Sequence, residues 1–196
     1  MQTKLFIIGL NKAGTRSLHR LFEDSGYKSV HWHEGKLAKS IEDNVMAGID
    51  PIQEYKRFDV FSDMEGIYGQ PVTESYRYFR QIYFANPDAK FLLNYRDVDD
   101  WLRSKMSYGN NNHGYNIYLQ YYKDHLNAKN DQEVLDHWRR TYYQHHSDVL
   151  NFFSDKPGSL ILFNLDRDSP VDLAERVKPH FTLIPDRFPH VGKTKK

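Results

Sequence analysis

The chain has 196 residues, no cysteine, and 27 basic against 26 acidic side chains, for a formal net charge of +1. That length suits one domain with a full hydrophobic core, and the missing cysteine excludes disulfides, thiolate nucleophiles and cysteine metal sites. A charge so near zero gives no reason to expect nucleic acid or an anionic membrane as partner, so any anion site has to be built locally.

Leu5 to Leu10 is an apolar run of strand length. It stops too soon for a membrane span and carries no signal-peptide cleavage pattern, which leaves cytoplasm as the default compartment. Gly9 to Thr15 is a polar, glycine-containing turn, and Leu18, Leu21 and Phe22 then follow at helical spacing up to a stop signal at Gly26. Ser29 to Trp32 and Phe58 to Ser62 read as second and third strands. After Thr73 the spacing of Tyr76, Phe79 and Tyr83 predicts a helix ended by Asn86 and Pro87. Residues 90–95 form another buried-strand run, and Asp97 caps the helix that follows, with Val98, Trp101 and Leu102 as its buried stripe.

The stretch 107–130 is rich in Asn, Tyr, His and Lys with little period, and reads as a loop or irregular helix over the site. Val134, Leu135, Trp138, Tyr142 and Val149 mark one long amphipathic helix, closed by Pro157 and Gly158. A last strand covers 159–165, and Pro170 opens a final helix. With neither repeats nor a linker, the expectation is a single domain, 1–196. Its fold class is α/β, a three-layer, mostly parallel sheet flanked by helices, with the site at the carboxyl ends of the strands.

The segment KLFIIGLNKAGTRSLHRLF sets Gly9, Lys12, Gly14, Thr15 and Ser17 between strand and helix, where backbone N–H groups and the helix dipole favour an anion. Gly9 and Gly14 have the separation of a Walker A loop, G-x-x-x-x-G-K-[ST], but Thr15 stands where the lysine belongs and the lysine sits inside the loop at position 12. This favours a phosphosulfate over ATP. Downstream, Arg96 ends a buried strand and Ser104 lies two helical turns beyond Asp97 on the same azimuth, so the two can face one groove and grip one phosphate.

KAGTRS after the first strand, and an arginine followed eight residues later by serine after a later one, resemble the two signatures that bind 3′-phosphoadenosine 5′-phosphosulfate (PAPS) in the sulfotransferase superfamily. The order DVFSDMEG, NPDAKFLLNYRDVDDWLRS, SLILFNLDRDSPVDLAERVKPHF and FPHVGK extends the likeness to the small bacterial-type branch over nearly the whole chain. The resemblance implies a P-loop NTPase-like fold and a PAPS-dependent sulfotransferase that leaves 3′-phosphoadenosine 5′-phosphate (PAP) as product. It implies that Lys12, Ala13, Gly14, Thr15, Arg16 and Ser17 hold the 5′-phosphosulfate, that Arg96 and Ser104 hold the 3′-phosphate, and that Lys193 closes over the nucleotide. Many relatives carry Pro after the strand-end arginine and Asn in the final FPH motif, where this chain has Asp97 and Gly192.

Sulfuryl transfer needs a cation for the departing phosphate and a base for the acceptor proton, with no obligatory metal. Lys12 suits the first task. Asp63, at the end of DVFSD, is the first candidate base and His33 the second, with His31, Glu34 and Glu65 as alternatives. His31 and His33 share a strand face, yet no second pair completes a metal site, so no metal is expected. The acceptor is a small molecule or glycan presenting a hydroxyl or amine. Two other readings remain: a P-loop phosphotransferase using ATP and Mg²⁺, and a non-catalytic nucleotide-binding domain.

Overall fold

Leu5 and Ile7 alternate with Phe6 and Ile8, which gives the first strand two apolar faces and requires cover on both. The computed structural model describes residues 3–67, 72–108 and 116–189. In chain order it holds β1 (Leu5–Ile7), α1 (Thr15–Asp24), β2 (Ser29–His31), α2 (Lys36–Met46), β3 (Val60–Ser62), β4 (Glu65–Gly66) and β5 (Thr73–Glu74). It continues through α3 (Phe79–Ala85), β6 (Lys90–Tyr95), α4 (Val98–Met106), α5 (Ile117–Leu126), α6 (Asp131–Phe153), β7 (Leu160–Asn164) and α7 (Pro170–Val177). Five strands form one sheet in the order β2-β3-β1-β6-β7, and every neighbouring pair is parallel. A separate antiparallel ladder joins β4 to β5. The expected three-layer, mostly parallel α/β architecture is therefore present.

One face of the sheet packs Leu5, Ile7, Leu92 and Phe163 against Leu18, Leu21 and Phe22 of α1 and Leu173 and Val177 of α7. The other packs Phe6, Phe61, Phe91 and Leu93 against Leu37 and Ile41 of α2, Ile82 of α3, Trp101 of α4 and Trp138 and Val149 of α6. Register sets Phe6 beside Phe61 on one side and Phe91 on the other, with ring centroids 4.6 and 5.4 Å apart. This aromatic ladder across three central strands fixes their relative height, and so the height of the loops that leave their carboxyl ends.

The structure departs from the sequence reading in three places. Helix α2 occupies a stretch to which no element was assigned, although Leu37, Ala38 and Ile41 have helical spacing and are fully buried. Thr73 and Glu74 are extended and Ser75–Tyr78 is a 3₁₀ turn, so α3 starts only at Phe79. Within 107–130, Ile117–Leu126 is a regular helix whose first turn is capped by the Asn116 side chain, and its buried stripe includes Tyr118, Leu119 and Tyr122. Tyrosines that the composition presents as polar serve there as core residues with a hydroxyl to satisfy. Residues 109–115 of that stretch lie outside the described residues. No helix among the described residues is long and apolar enough to cross a membrane.

Candidate active site

The turn after β1 approaches β6 at a distance only glycine permits. A Cβ on Gly9 would fall 2.0 Å from the Asn94 carbonyl oxygen, and Gly14, at φ 86°, would put one 2.8 Å from Leu165. Carbonyls of this turn are then consumed from behind. His145 Nε2 donates to Ile8 O at 2.7 Å, Trp101 Nε1 to Asn11 O at 2.8 Å and Asn94 Nδ2 to Ala13 O at 2.8 Å. Burial pushes His145 down to about 3, so it is a neutral imidazole with Nε2 as the donor. With its carbonyls pinned inward, the turn is set to present N–H groups outward.

Helix α1 starts at Thr15 with no side chain capping it and no acidic residue in its first turn. Helices α2 and α3 also lack a side-chain cap, whereas α4, α5, α6 and α7 are capped by Asp97, Asn116, Asn130 and Ser169. Lys12 and Arg16 are placed at this positive end of the helix dipole, where cations are disfavoured unless an anion joins them. Burial lowers the Lys12 ammonium to about 8, the Arg16, Arg96 and Lys105 charges push the same way, and Asp63 opposes them. Lys12 Nζ lies 4.0 Å from the centre of the Tyr108 ring, which holds the cation without neutralising it. Thr15 and Ser17 are buried in the first turn, Ala13 is buried beneath the loop, and Arg16 is exposed.

Six non-glycine residues among those described have positive φ, and five of them leave the ends of β1, β2 and β3: Lys12, Trp32, His33, Glu34 and Asp63. Such concentrated backbone strain at adjacent strand ends is the pattern of a functional cleft rather than of folding convenience. Asp63, at φ 54°, is mostly buried. Burial first, and the Glu65 charge second, raise its carboxyl to about 7, against the pull of Lys105, Arg16 and Lys12. His31 Nε2 stands 3.4 Å from Asp63 Oδ2. Burial holds His31 near 3, and its Nδ1 is 3.0 Å from Ser62 Oγ.

The other base candidates are arranged differently. His31 and His33 do not share a face, because β2 ends at His31 and the positive-φ run from Trp32 turns the chain away. His33 Nδ1 instead meets the Tyr55 hydroxyl at 2.9 Å. Glu34 is exposed and paired with Lys36 at 2.9 Å, and Glu65 is buried in an ion pair with Lys105. Among the described residues no group of three or more His, Asp or Glu is placed to hold a metal.

Arg96 follows β6, and its Nη2 is 3.5 Å from Asp166 and 3.9 Å from Asp100. Its Nε is buried without an acceptor, a donor left over for an anion. Ser104 is buried on α4. Asp97 accepts from the Asp99 and Asp100 N–H groups as the helix cap, while its own N–H donates to Asp166 Oδ2 at 2.7 Å. Proline has no N–H for that bond, so Asp97 stands here with a distinct backbone role. Lys193 lies outside the described residues. The sequence singles out neither Asn94, Tyr108 nor Lys105; Trp101 reads there only as part of a buried stripe and His145 only as half of a histidine pair, and the contacts of both with the loop are visible only in the fold.

A glycine-containing turn that leads from the first strand into an uncapped helix start is where α/β proteins bind phosphate-type anions, and here two cations stand beside it. The family model of the sulfotransferase domain matches residues 4–196, and the chain belongs to that family, which makes it a transferase. The crystal structure of a sulfotransferase from Alicyclobacillus acidocaldarius is similar with a TM-score of 0.60 at 15% identity, covering 100% of this chain and 87% of that one. At that identity the likeness concerns the fold. No curated protein matches this chain.

Proposed function

We propose that the chain transfers the sulfuryl group of PAPS to a hydroxyl or amine of a small-molecule or glycan acceptor, releasing PAP. The observation that carries this reading is the uncapped start of α1 with Lys12 and Arg16 beside it, two cations whose charges both act on the Asp63 carboxyl. The donor supplies an activated sulfur whose bond to the 5′-phosphate oxygen breaks. The loop from Lys12 to Ser17 holds the phosphosulfate with N–H groups and hydroxyls. Lys12 stabilises the charge that collects on the departing phosphate oxygen. Asp63 takes the proton of the acceptor hydroxyl as its oxygen bonds to sulfur. Arg96, with Ser104, receives the 3′-phosphate, and the unsatisfied Arg96 Nε fits that task.

The alternative, ATP-dependent phosphotransfer with Mg²⁺, is disfavoured by the lysine's place inside the loop and by Thr15 in the Walker lysine position. Incubation with ³⁵S-labelled PAPS and a panel of phenols, alcohols, amines and glycans in EDTA should yield a labelled product. Transfer from γ-labelled ATP that needs Mg²⁺, with none from PAPS, would replace this reading by the phosphotransferase.

A further inference from the structure

His31 touches Asp63, and the transfer step as described leaves it without a task. Strand register sets His31 of β2 opposite Ser62 of β3, and its Nδ1 lies 3.0 Å from Ser62 Oγ. Successive side chains of an unbroken strand point to opposite faces, which would send Asp63 away from the ring that Ser62 meets. The positive φ of Asp63, 54°, breaks that alternation, and its Oδ2 stands 3.4 Å from Nε2 of the same imidazole. Both ring nitrogens of His31 thus face consecutive residues, one offering a hydroxyl and the other a carboxyl. The ring also stacks on His19 of α1, with centroids 5.2 Å apart. His19 has partners of its own, Ser29 Oγ 2.7 Å from Nδ1 and Glu23 Oε2 3.1 Å from Nε2.

Hydrogen-bonding capacity decides which nitrogen carries the proton. Burial, and then His19, Arg16 and Arg20 of α1, all act against a charge on His31, so the ring is neutral and has one N–H and one bare nitrogen. An ionised carboxylate can only accept, and a bare Nε2 would set its lone pair against Oδ2, so the proton belongs on Nε2. The Ser62 hydroxyl then donates to the bare Nδ1 at 3.0 Å, its other partner, Val30 O, being farther at 3.4 Å. We propose that His31 is a positioning residue for Asp63: its Nε2–H, fixed by the Ser62 hydroxyl on Nδ1, holds Oδ2 of the ionised carboxylate and leaves Oδ1 to take the acceptor's proton. This rests on Asp63 being the base. Catalytic hydrogen bonds are often long in free enzymes and tighten in the complex with substrate, so 3.4 Å is within reach. Such an N–H favours the charged form, and so joins Lys105, Arg16 and Lys12 in opposing the burial and the Glu65 charge that raise the Asp63 carboxyl.

The test is the ¹⁵N NMR spectrum of the His31 ring in the full-length free protein at about pH 9, above the Asp63 value of about 7. Nε2 should read as the protonated nitrogen and Nδ1 as the bare one, a result that needs neither donor, acceptor nor any variant that folds. A second readout is the titration of the Asp63 carboxyl followed by ¹³C NMR. His31→Phe keeps a ring but no donor and should raise the midpoint by about one pH unit or more, while His31→Gln, which retains an N–H, should hold it within about half a unit of the parental value. A bare Nε2 overturns the proposal. So does a midpoint unchanged or lowered in His31→Phe, or one raised as far in His31→Gln as in His31→Phe. Each of these leaves the sulfotransferase reading standing. Failure of PAPS to serve as donor, or parental turnover by Asp63→Asn, would refute the reading beneath the proposal without altering the tautomer.

Discussion

Lys12→Ala should lower the single-turnover rate of sulfuryl transfer roughly 100- to 1,000-fold, the usual result of removing one aimed charge worth about 3 kcal/mol in the transition state. Lys12 sits over the Tyr108 ring and makes no carboxylate salt bridge among the described residues, so its charge is realised as the phosphate leaves. PAP affinity should fall much less, because the loop N–H groups and the Arg96 site are untouched. A variant with weakened PAP binding and an unchanged rate on bound substrate would assign Lys12 to binding alone.

Asp63→Asn should nearly abolish turnover and leave PAP affinity close to parental, since the amide keeps the shape and hydrogen bonds but cannot take a proton. The pH profile carries the same information in the parental enzyme. Asp63 must be ionised to act, so kcat/KM rises with pH through about 7, and Lys12 must be protonated, so it falls again above about 8. Unperturbed groups would instead give a plateau from roughly pH 5 to 9. Stability provides a readout that needs no acceptor. An acid whose folded-state pKa is raised above its unfolded value of about 4 destabilises the fold progressively as pH rises between the two values. Asp63→Asn should therefore be more stable than the parent at pH 8, by on the order of a few kcal/mol, and melt at a higher temperature, with the difference vanishing below about pH 4. Equal melting at pH 8 would show that Asp63 ionises freely in the folded protein.

Much of the scaffold is legible because burial writes itself into sequence as continuous apolar runs: Leu5 to Leu10, residues 90–95 and residues 159–165 each contain a strand of the central sheet, the last an edge strand that leaves Leu162 exposed. The turn from Gly9 to Ser17 was readable because glycine at two tight approaches and an uncapped helix start leave a local pattern. Contacts between residues distant in sequence were not. His145 and Trp101 meet the loop carbonyls from 137 and 90 residues away, and nothing in their own segments distinguishes them from core packing. The His31 and His33 pair shows the opposite error, where a period-2 rule was carried past the end of a strand into a run of positive-φ residues. The stretch that holds α5 reads only as a loop or irregular helix, because Tyr118 and Tyr122 of its buried stripe are tyrosines whose hydroxyls meet Glu65, a role visible only in the fold.

Isothermal calorimetry of PAP beside ADP, in EDTA, tests the donor assignment most directly. Each ligand carries two phosphates, but PAP has one at the 3′ position where ADP has a 5′-diphosphate, so only PAP can offer a 3′-phosphate to Arg96, whose Nε has no acceptor, and Ser104. PAP should bind at least tenfold more tightly than ADP, the effect of one charge-assisted contact, and the gap should close in Arg96→Met. Equal affinities for PAP and ADP in the parental protein would contradict the PAPS assignment.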